Sequence, residues 1–121
     1  IEVGAYPSVH YETEQRRAEL ARQEALLARA RREVQLAVHR AFLEYRTAQE
    51  EIALANTTIR QAREQLSETR QQVESGVALN VDLLDAQAAL TEARLSLLSA
   101  RTNAQIARAR LAREVGTGVP D

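Results

Sequence analysis

Gly76 separates two long stretches of sequence that contain no other glycine and no proline. These stretches run from Thr13 to Glu74 and from Val81 to Glu114, and glycine and proline are the residues that most often end a helix. At 1.5 Å per residue they predict helices of roughly 90 Å and roughly 50 Å. Glycine adopts a positive φ without steric cost, so Gly76 is predicted to end the first helix. The residues from Gly76 to Leu79 are then expected to reverse the chain.

Polar residues typical of helix caps lie near the predicted ends. Asn80 is expected to cap the second helix, with Asp82 in its first turn facing the positive end of the helix dipole. Ser8 or Thr13 is expected to cap the first helix. Glycines and a proline after Val115 predict the end of the second helix.

The alternating segment Ile1–Tyr6 is a weak strand signal that Pro7 and Ser8 would break. Ile1 is not a natural start, which suggests a piece of a longer protein. The predicted divisions are 1–12 (a strand remnant and the helix start), 13–75 (first helix), 76–80 (hairpin tip), 81–115 (second helix) and 116–121 (tail).

Apolar residues recur every seven positions in both helices, which predicts a left-handed coiled coil. The first helix has two such columns, and so does the second. The columns are Val38, Tyr45, Ile52, Ile59, Leu66 and Val73; Leu20, Leu27, Val34, Ala41, Ala48, Ala55 and Ala62; Leu83, Leu90, Leu97, Ala104 and Leu111; and Ala86, Ala93, Ala100 and Ala107.

The register of an antiparallel hairpin follows from placing its centre at Gly76. Facing layers then pair one large residue with one alanine, as close knobs-into-holes packing requires. In the layer of Ala48 and Ala104 both residues are small. Beside the seam, Glu44 is predicted to lie near Arg110. The predicted pairs are Leu66–Ala86, Ala62–Leu90, Ile59–Ala93, Ala55–Leu97, Ile52–Ala100, Tyr45–Ala107 and Ala41–Leu111. The sequence therefore predicts an all-α fold, a long antiparallel two-helix coiled-coil hairpin with unequal arms.

A second apolar stripe lies off the seam of the second helix, at Leu84, Leu95, Leu98 and Ile106. A single hairpin needs only one stripe. The second stripe predicts neighbours on both sides and self-association of the isolated chain.

The composition excludes several kinds of function. The chain has 22 alanines, one phenylalanine and no tryptophan, methionine or cysteine, which suits close helix packing and rules out disulfides and thiolate metal sites. All sixteen basic residues are arginine and the net charge is −1, without the basic run that nucleic-acid binding requires. No apolar run is long enough to span a bilayer.

The titratable residues offer little support for catalysis, a metal site or a cofactor. Asp82 and Asp85 lie three apart on one helix face, where dipole complementation and solubility are sufficient reasons for two acids. His10 and His39 stand alone and are interpreted as solvated or structural. No nucleophile–base pair occurs, so an enzyme is not expected. A column of arginines beside the seam, Arg94, Arg101 and Arg108, is interpreted as long stems that cover apolar surface.

The segment around the turn resembles the signature of TolC-type outer membrane efflux proteins. It reads Glu-Ser-Gly-Val-Ala-Leu-Asn-Val-Asp-Leu-Leu-Asp-Ala-Gln-Ala-Ala-Leu-Thr-Glu-Ala-Arg from Glu74 to Arg94. The ending Leu-Ala-Arg-Glu-Val-Gly-Thr-Gly from Leu111 is similar to the close of the same helix in that family, and Arg17-Ala-Glu-Leu and Ala41-Phe-Leu-Glu-Tyr resemble its long first helix.

The resemblance implies the second of two hairpin repeats in a homotrimer that closes an outer-membrane barrel and a periplasmic helical tunnel. It implies a periplasmic adaptor protein and an inner-membrane transporter as partners, with drugs, metal ions or secreted proteins as cargo. By the same resemblance, Asp82 and Asp85 line the channel entrance, and Gly76 and Val77 contact the adaptor at the tip.

This sequence departs from the family pattern in two places. Val73 and Ala78 stand where some members carry a Tyr and an Arg that latch the closed entrance. The Gly-Gly usual at the start of the long helix is absent after Pro7.

Two alternatives are open from sequence. One is the coiled-coil hairpin of a periplasmic adaptor, which should be flanked by lipoyl-like strands. The other is a purely structural, dimerising coiled coil, which a narrow one-sided seam would favour.

Overall fold

The computed structural model describes the backbone of residues 5–116 and the side chains of residues 8–116. Within that range there are two helices, α1 (Ala5–Glu74) and α2 (Asn80–Val115), and no strand. The all-α prediction is therefore confirmed. Tertiary contacts divide the chain between Ala37 and Val38, and the two parts are described separately.

α1 begins at Ala5, eight residues before the predicted start at residue 13. The predicted break at Pro7 and Ser8 is wrong, because both residues are helical. A proline is tolerated in the first helical turn, where its missing N–H would have had no intrahelical acceptor. The predicted strand falls partly on residues 1–4, which lie outside the described part, while Ala5 and Tyr6 are helical.

Residues 8–36 of α1 are all exposed. Their helix is rich in Ala, Glu, Arg, Gln and Leu, the residues with the strongest helix propensity. Side chains one turn apart add local support, as where Arg29 Nε donates to Glu33 Oε1 at 3.0 Å. Thr13 donates its hydroxyl to the Val9 carbonyl at 2.9 Å, so it lies inside the helix and is not the predicted cap.

Residues 38–116 form the antiparallel hairpin, and its seam holds all the buried residues of the described chain. Most of them are alanines, which allow the two backbones to approach closely. Ile59 and Leu90 are buried with the alanines, whereas the other large side chains that pack against them, such as Tyr45, Ile52 and Leu66, are half-buried. The buried residues are Ala41, Ala48, Ala55, Ile59, Thr69, Ala86, Leu90, Ala93, Ala100, Ala104 and Ala107.

The predicted register is confirmed along the seam. Ile59 packs with Leu90 and Ala93, and Ala62, Leu66 and Leu97 lie against the same cluster. Tyr45 and Ile52 pack against a second cluster of Ala48, Ala104 and Ala107. The layer of Ala48 and Ala104, which lacks a large partner, is therefore covered by Tyr45 and Ile52 from the adjacent layers.

Glu44 and Arg110 also meet as the register predicts, with 3.6 Å between Glu44 Oε2 and Arg110 Nη1. Both side chains are about half exposed, so the pair contributes under about 1 kcal/mol. The ion pair is informative about the geometry of the hairpin, because it shows which sides of the two helices lie together.

Thr69 is a seam residue that the apolar columns did not include. It continues the column of Ala48, Ala55 and Ala62 by one further heptad and is only 4% exposed. Gln65 Nε2 lies 3.3 Å from its hydroxyl oxygen, which gives the buried oxygen a partner. The seven-residue period predicts a seam position at residue 69. Because threonine is polar, a column defined by apolar residues does not include it.

Candidate functional site at the hairpin turn

Gly76 ends α1 in the way its sequence position predicts. Its φ is +77°, its N–H donates to the Val73 carbonyl at 3.1 Å, and the Val77 N–H donates to the Gln72 carbonyl at 2.8 Å. These two bonds define a Schellman motif, which satisfies carbonyls at the helix end. A Cβ at Gly76 would meet no atom within 4 Å. The glycine is therefore required for its backbone angle and not for space.

α2 begins one residue earlier than predicted, and its cap is Leu79, not Asn80. Leu79 has extended backbone angles (φ −92°, ψ 160°), and its carbonyl accepts the Asp82 N–H at 3.1 Å. Leucine has no side-chain acceptor for the first-turn amides. The cap bond runs the other way instead, because Asp82 Oδ2 accepts the Leu79 N–H at 2.9 Å. This bond makes Leu79 the cap and leaves Asn80 as the first helical residue.

The two aspartates behind the turn are exposed but have different surroundings. Asp82 holds the Leu79 amide, whereas Asp85 makes no hydrogen bond or ion pair to any described residue. Asp82 thus has a structural reason to be acidic, whereas Asp85 is the sixth residue of α2 and lies beyond its first turn, where the helix dipole has largely fallen off. Within residues 5–116 no three His, Cys, Asp or Glu side chains gather as a metal site.

The tip itself is apolar and exposed. Val77 and Leu79 are 78% and 70% exposed, in a turn whose backbone hydrogen bonds are already satisfied. Val77 was singled out from the sequence, but Leu79 was not. The signal for Leu79 was its apolar side chain in a short turn, where polar residues are usual.

The remaining sequence candidates do not join this site. His10 is exposed on α1, where its Nε2 lies 3.2 Å from Glu14 Oε1, and His39 is exposed on the same helix. Val73 and Ala78, at the positions of the family latch, are half-buried beside the turn. Their apolar side chains cannot form a hydrogen-bonded latch.

The second apolar stripe of α2 is exposed, with Leu84, Leu95 and Leu98 each more than 60% accessible. The arginine column beside it, which includes Arg94 and Arg101, is also exposed. The exposed stripe is as expected from the sequence for a single chain, and the interpretation of the arginine stems as a cover for apolar surface beside the seam stays a prediction. Neither described helix contains an apolar stretch long enough to cross a bilayer.

Comparisons with known proteins identify the family. The family model described as outer membrane efflux protein matches residues 7–117. A search of curated proteins and of solved structures finds no match. The matched range contains the whole hairpin and its turn, and it selects the channel interpretation over an adaptor hairpin or a structural dimer. Because this match covers most of the sequence, the chain belongs to the outer membrane efflux protein family, whose members are membrane-associated transport channels and not enzymes.

Proposed function

We propose that this hairpin forms part of the periplasmic tunnel of an outer-membrane efflux channel, and that its turn is the tunnel's inner end. The observation that carries this proposal is the turn itself. It exposes two apolar side chains, Val77 and Leu79, and is followed by two exposed acids, Asp82 and Asp85. The apolar tip suits contact with another protein, and the acids suit a charged constriction.

In the assembled channel, the acids are proposed to act at the entrance as rings of several carboxylates. A homotrimer brings three copies of each aspartate to one constriction, where rings of carboxylates attract cations and oppose anions. Asp85 is the better placed for this role, since its carboxylate makes no bond to any described residue. Asp82 contributes charge while holding the Leu79 amide.

Bilayer conductance of the full-length trimer tests the entrance role. Replacing both acids by asparagine (Asp82→Asn with Asp85→Asn) removes charge and keeps an oxygen that can accept the Leu79 N–H. We expect weaker cation preference and weaker block by multivalent cations. The matched control, Glu50→Gln with Glu64→Gln, removes the same charge from exposed positions of α1 and should leave both properties unchanged. Equal effects of the two double variants would reject a specific entrance role.

The apolar tip is proposed to contact the periplasmic adaptor that links the channel to its inner-membrane transporter. Val77→Asp and Leu79→Asp would each place a charge in that contact, and we expect at least a ten-fold loss of adaptor affinity. Val9→Asp changes an exposed valine far along the sequence and serves as the control. Retained affinity in both tip variants would exclude the tip as the contact.

The second apolar stripe is proposed to pack against neighbouring helices of the trimer. In the isolated chain the exposed Leu84, Leu95 and Leu98 should drive self-association. Sedimentation velocity over a range of concentrations measures this, and Leu95→Gln with Leu98→Gln should shift the chain toward the monomer. A wild-type chain that stays monomeric at high concentration would contradict the role of the stripe.

A further inference from the structure

The two exposed apolar residues of the tip are held in place by different kinds of hydrogen bond. Val77 donates its N–H to the Gln72 carbonyl at 2.8 Å, and Ala78 donates its N–H to the same carbonyl at 3.1 Å. Both bonds join backbone atoms, so they do not depend on any side chain of the turn. Val77 is therefore fixed to the end of α1 by the backbone alone.

Leu79, the other apolar residue of the tip, is held by a side chain. Its N–H donates to Asp82 Oδ2 at 2.9 Å, and no backbone carbonyl of a described residue accepts it. Its carbonyl accepts the Asp82 N–H at 3.1 Å. Leu79 is therefore held to the start of α2, and its amide depends on a single carboxylate.

The residue type at position 79 makes that carboxylate necessary. In a complete capping box, a Ser or Thr at the cap accepts the N–H of the third helical residue, and the side chain of that residue accepts the cap N–H. Leucine has no side-chain acceptor, so only the second of these two bonds forms here. No other side-chain bond holds the turn at Leu79 when the Asp82 carboxylate is removed.

Nothing else in the described chain competes for the Asp82 carboxylate. No arginine of the described residues lies within 4 Å of it, whereas Glu33, Glu44 and Glu50 each have an arginine partner. The direction of the Asp82 side chain is therefore set by the Leu79 N–H. Asp85, which is equally exposed to solvent, makes no such bond to the turn.

We propose that Asp82 is a positioning residue for the tip. Its carboxylate fixes the backbone of Leu79 and so presents the leucine side chain, which is 70% exposed, beside Val77 as one apolar surface. The inference rests on the proposed function, because it takes this surface to be the contact with the adaptor. It gives Asp82 a second role that is separate from its charge at the entrance.

The size of the effect follows from the fraction of chains whose tip has the binding conformation. Without its acceptor, the Leu79 backbone can adopt other conformations, and the apparent Kd rises as the competent fraction falls. The loss of a cap bond corresponds to a rise in Kd of about two-fold to five-fold. Val77 stays fixed by Gln72, so this loss is smaller than the one expected from a charge placed in the tip.

Amide hydrogen exchange of this chain, measured by NMR, tests the tether without reference to the adaptor. Asp82→Ala should speed the exchange of the Leu79 N–H at least about two-fold and leave the Val77 N–H unchanged. Asp82→Asn removes the charge and keeps an acceptor oxygen, so the Leu79 N–H should stay close to wild type. Glu92→Ala removes an exposed acid of the same helix and serves as the control.

The affinity of the full-length trimer for the purified adaptor tests the consequence. Asp82→Ala should raise the Kd about two-fold to five-fold. Asp82→Glu should recover the affinity, because glutamate is the usual acid at this position of a capping box. Asp85→Ala removes one entrance charge and no bond to the turn, so its Kd should stay within about two-fold of wild type.

The two experiments separate the positioning role from the other roles of these residues. Equal rises in Kd for Asp82→Ala and Asp85→Ala would overturn it, because charge alone would then explain the loss. Unchanged exchange of the Leu79 N–H in Asp82→Ala would also overturn it. Circular dichroism and the protected Val77 N–H show that each variant keeps its helices and its turn.

The variant Leu79→Asp distinguishes a failure of this inference from a failure of the proposed contact. If Leu79→Asp weakens adaptor binding and Asp82→Ala does not, the tip remains the contact and the positioning role is wrong. If neither variant weakens binding, the contact at the tip is rejected, and the positioning role is rejected with it.

Discussion

Residues 8–36 and residues 38–74 belong to the same helix and carry the same seven-residue repeat, yet only the second stretch is buried along its stripe. Leu20 and Leu27 are more than half exposed, whereas Ala48 and Ile59 are 5% and 8% exposed. The difference in burial comes from the partner helix, because α2 faces the second stretch. The comparison teaches that a heptad stripe marks a surface able to pack, and that a facing helix decides whether it is buried.

The strongest test of this difference places a charge in each stretch. Ala93→Glu puts a carboxylate into the seam that faces the second stretch, where Ala93 is 4% exposed. We expect a loss of at least about 3 kcal/mol, from the added volume and the buried charge. Ala30→Glu, at an exposed position of the first stretch, should change stability by under about 0.5 kcal/mol. Urea unfolding followed by circular dichroism measures both, and similar midpoints would show that the seam is not the stabilising contact.

A milder test removes apolar atoms from each stretch. Ile59→Ala should cost about 2 kcal/mol, at the low end for a buried isoleucine because the seam is shallow. Leu27→Ala should cost little in the isolated chain, because Leu27 is 51% exposed. In the full-length assembly Leu27→Ala becomes more costly if a neighbouring helix covers it. The same small cost in both forms would mean that Leu27 has no partner in the assembly.

The turn that brings α2 against α1 depends on Gly76. Gly76→Ala should cost about 1 kcal/mol, because alanine is strained at a φ of +77° while its methyl group meets no atom. Gly116→Ala imposes the same strain at the end of α2, where the last turn can fray, and should cost less. A larger loss at Gly116 would show that the turn does not control the pairing.

The two aspartates give the smallest and most discriminating comparison. Asp82→Ala should cost about 0.5–1 kcal/mol because the Leu79 N–H loses its acceptor. Asp85→Ala should cost less than about 0.3 kcal/mol, because Asp85 lies beyond the first turn of α2, where the helix dipole has largely fallen off. Thermal unfolding with Asp82→Asn as an intermediate case checks the order. Equal losses for the two alanine variants would remove the structural distinction between them.

Much of the hairpin was predictable because its signals are local and periodic. Gly76 marked the reversal since only its backbone angle was needed, and the pairing of large residues with alanines set the register of Ile59 and Ala93. The Glu44–Arg110 ion pair followed from that register. At the candidate site, the exposed position of Val77 was predictable from its place in the turn.

Other features depended on competition between neighbouring groups, which sequence alone does not rank. Asn80 is the better cap by residue type, but Asp82 accepts the Leu79 amide and so makes Leu79 the cap. Pro7 is a helix breaker by type, but in the first turn of α1 its missing donor costs nothing. In the first case, a hydrogen bond that forms outweighs the average capping preference of asparagine. In the second case, proline loses no hydrogen bond, because the first turn of a helix has no acceptor for its N–H.

The sequence by itself determined that this chain forms two helices that reverse at Gly76 and pair along one seam, because a period of seven leaves few other ways to bury its apolar residues. Only the tertiary structure decided which stripe is buried and which flank each charge occupies. Burial requires a facing helix, and the flank of Arg94 or Asp82 is defined only once the two helices lie side by side. That pairing is what places Glu44 beside Arg110.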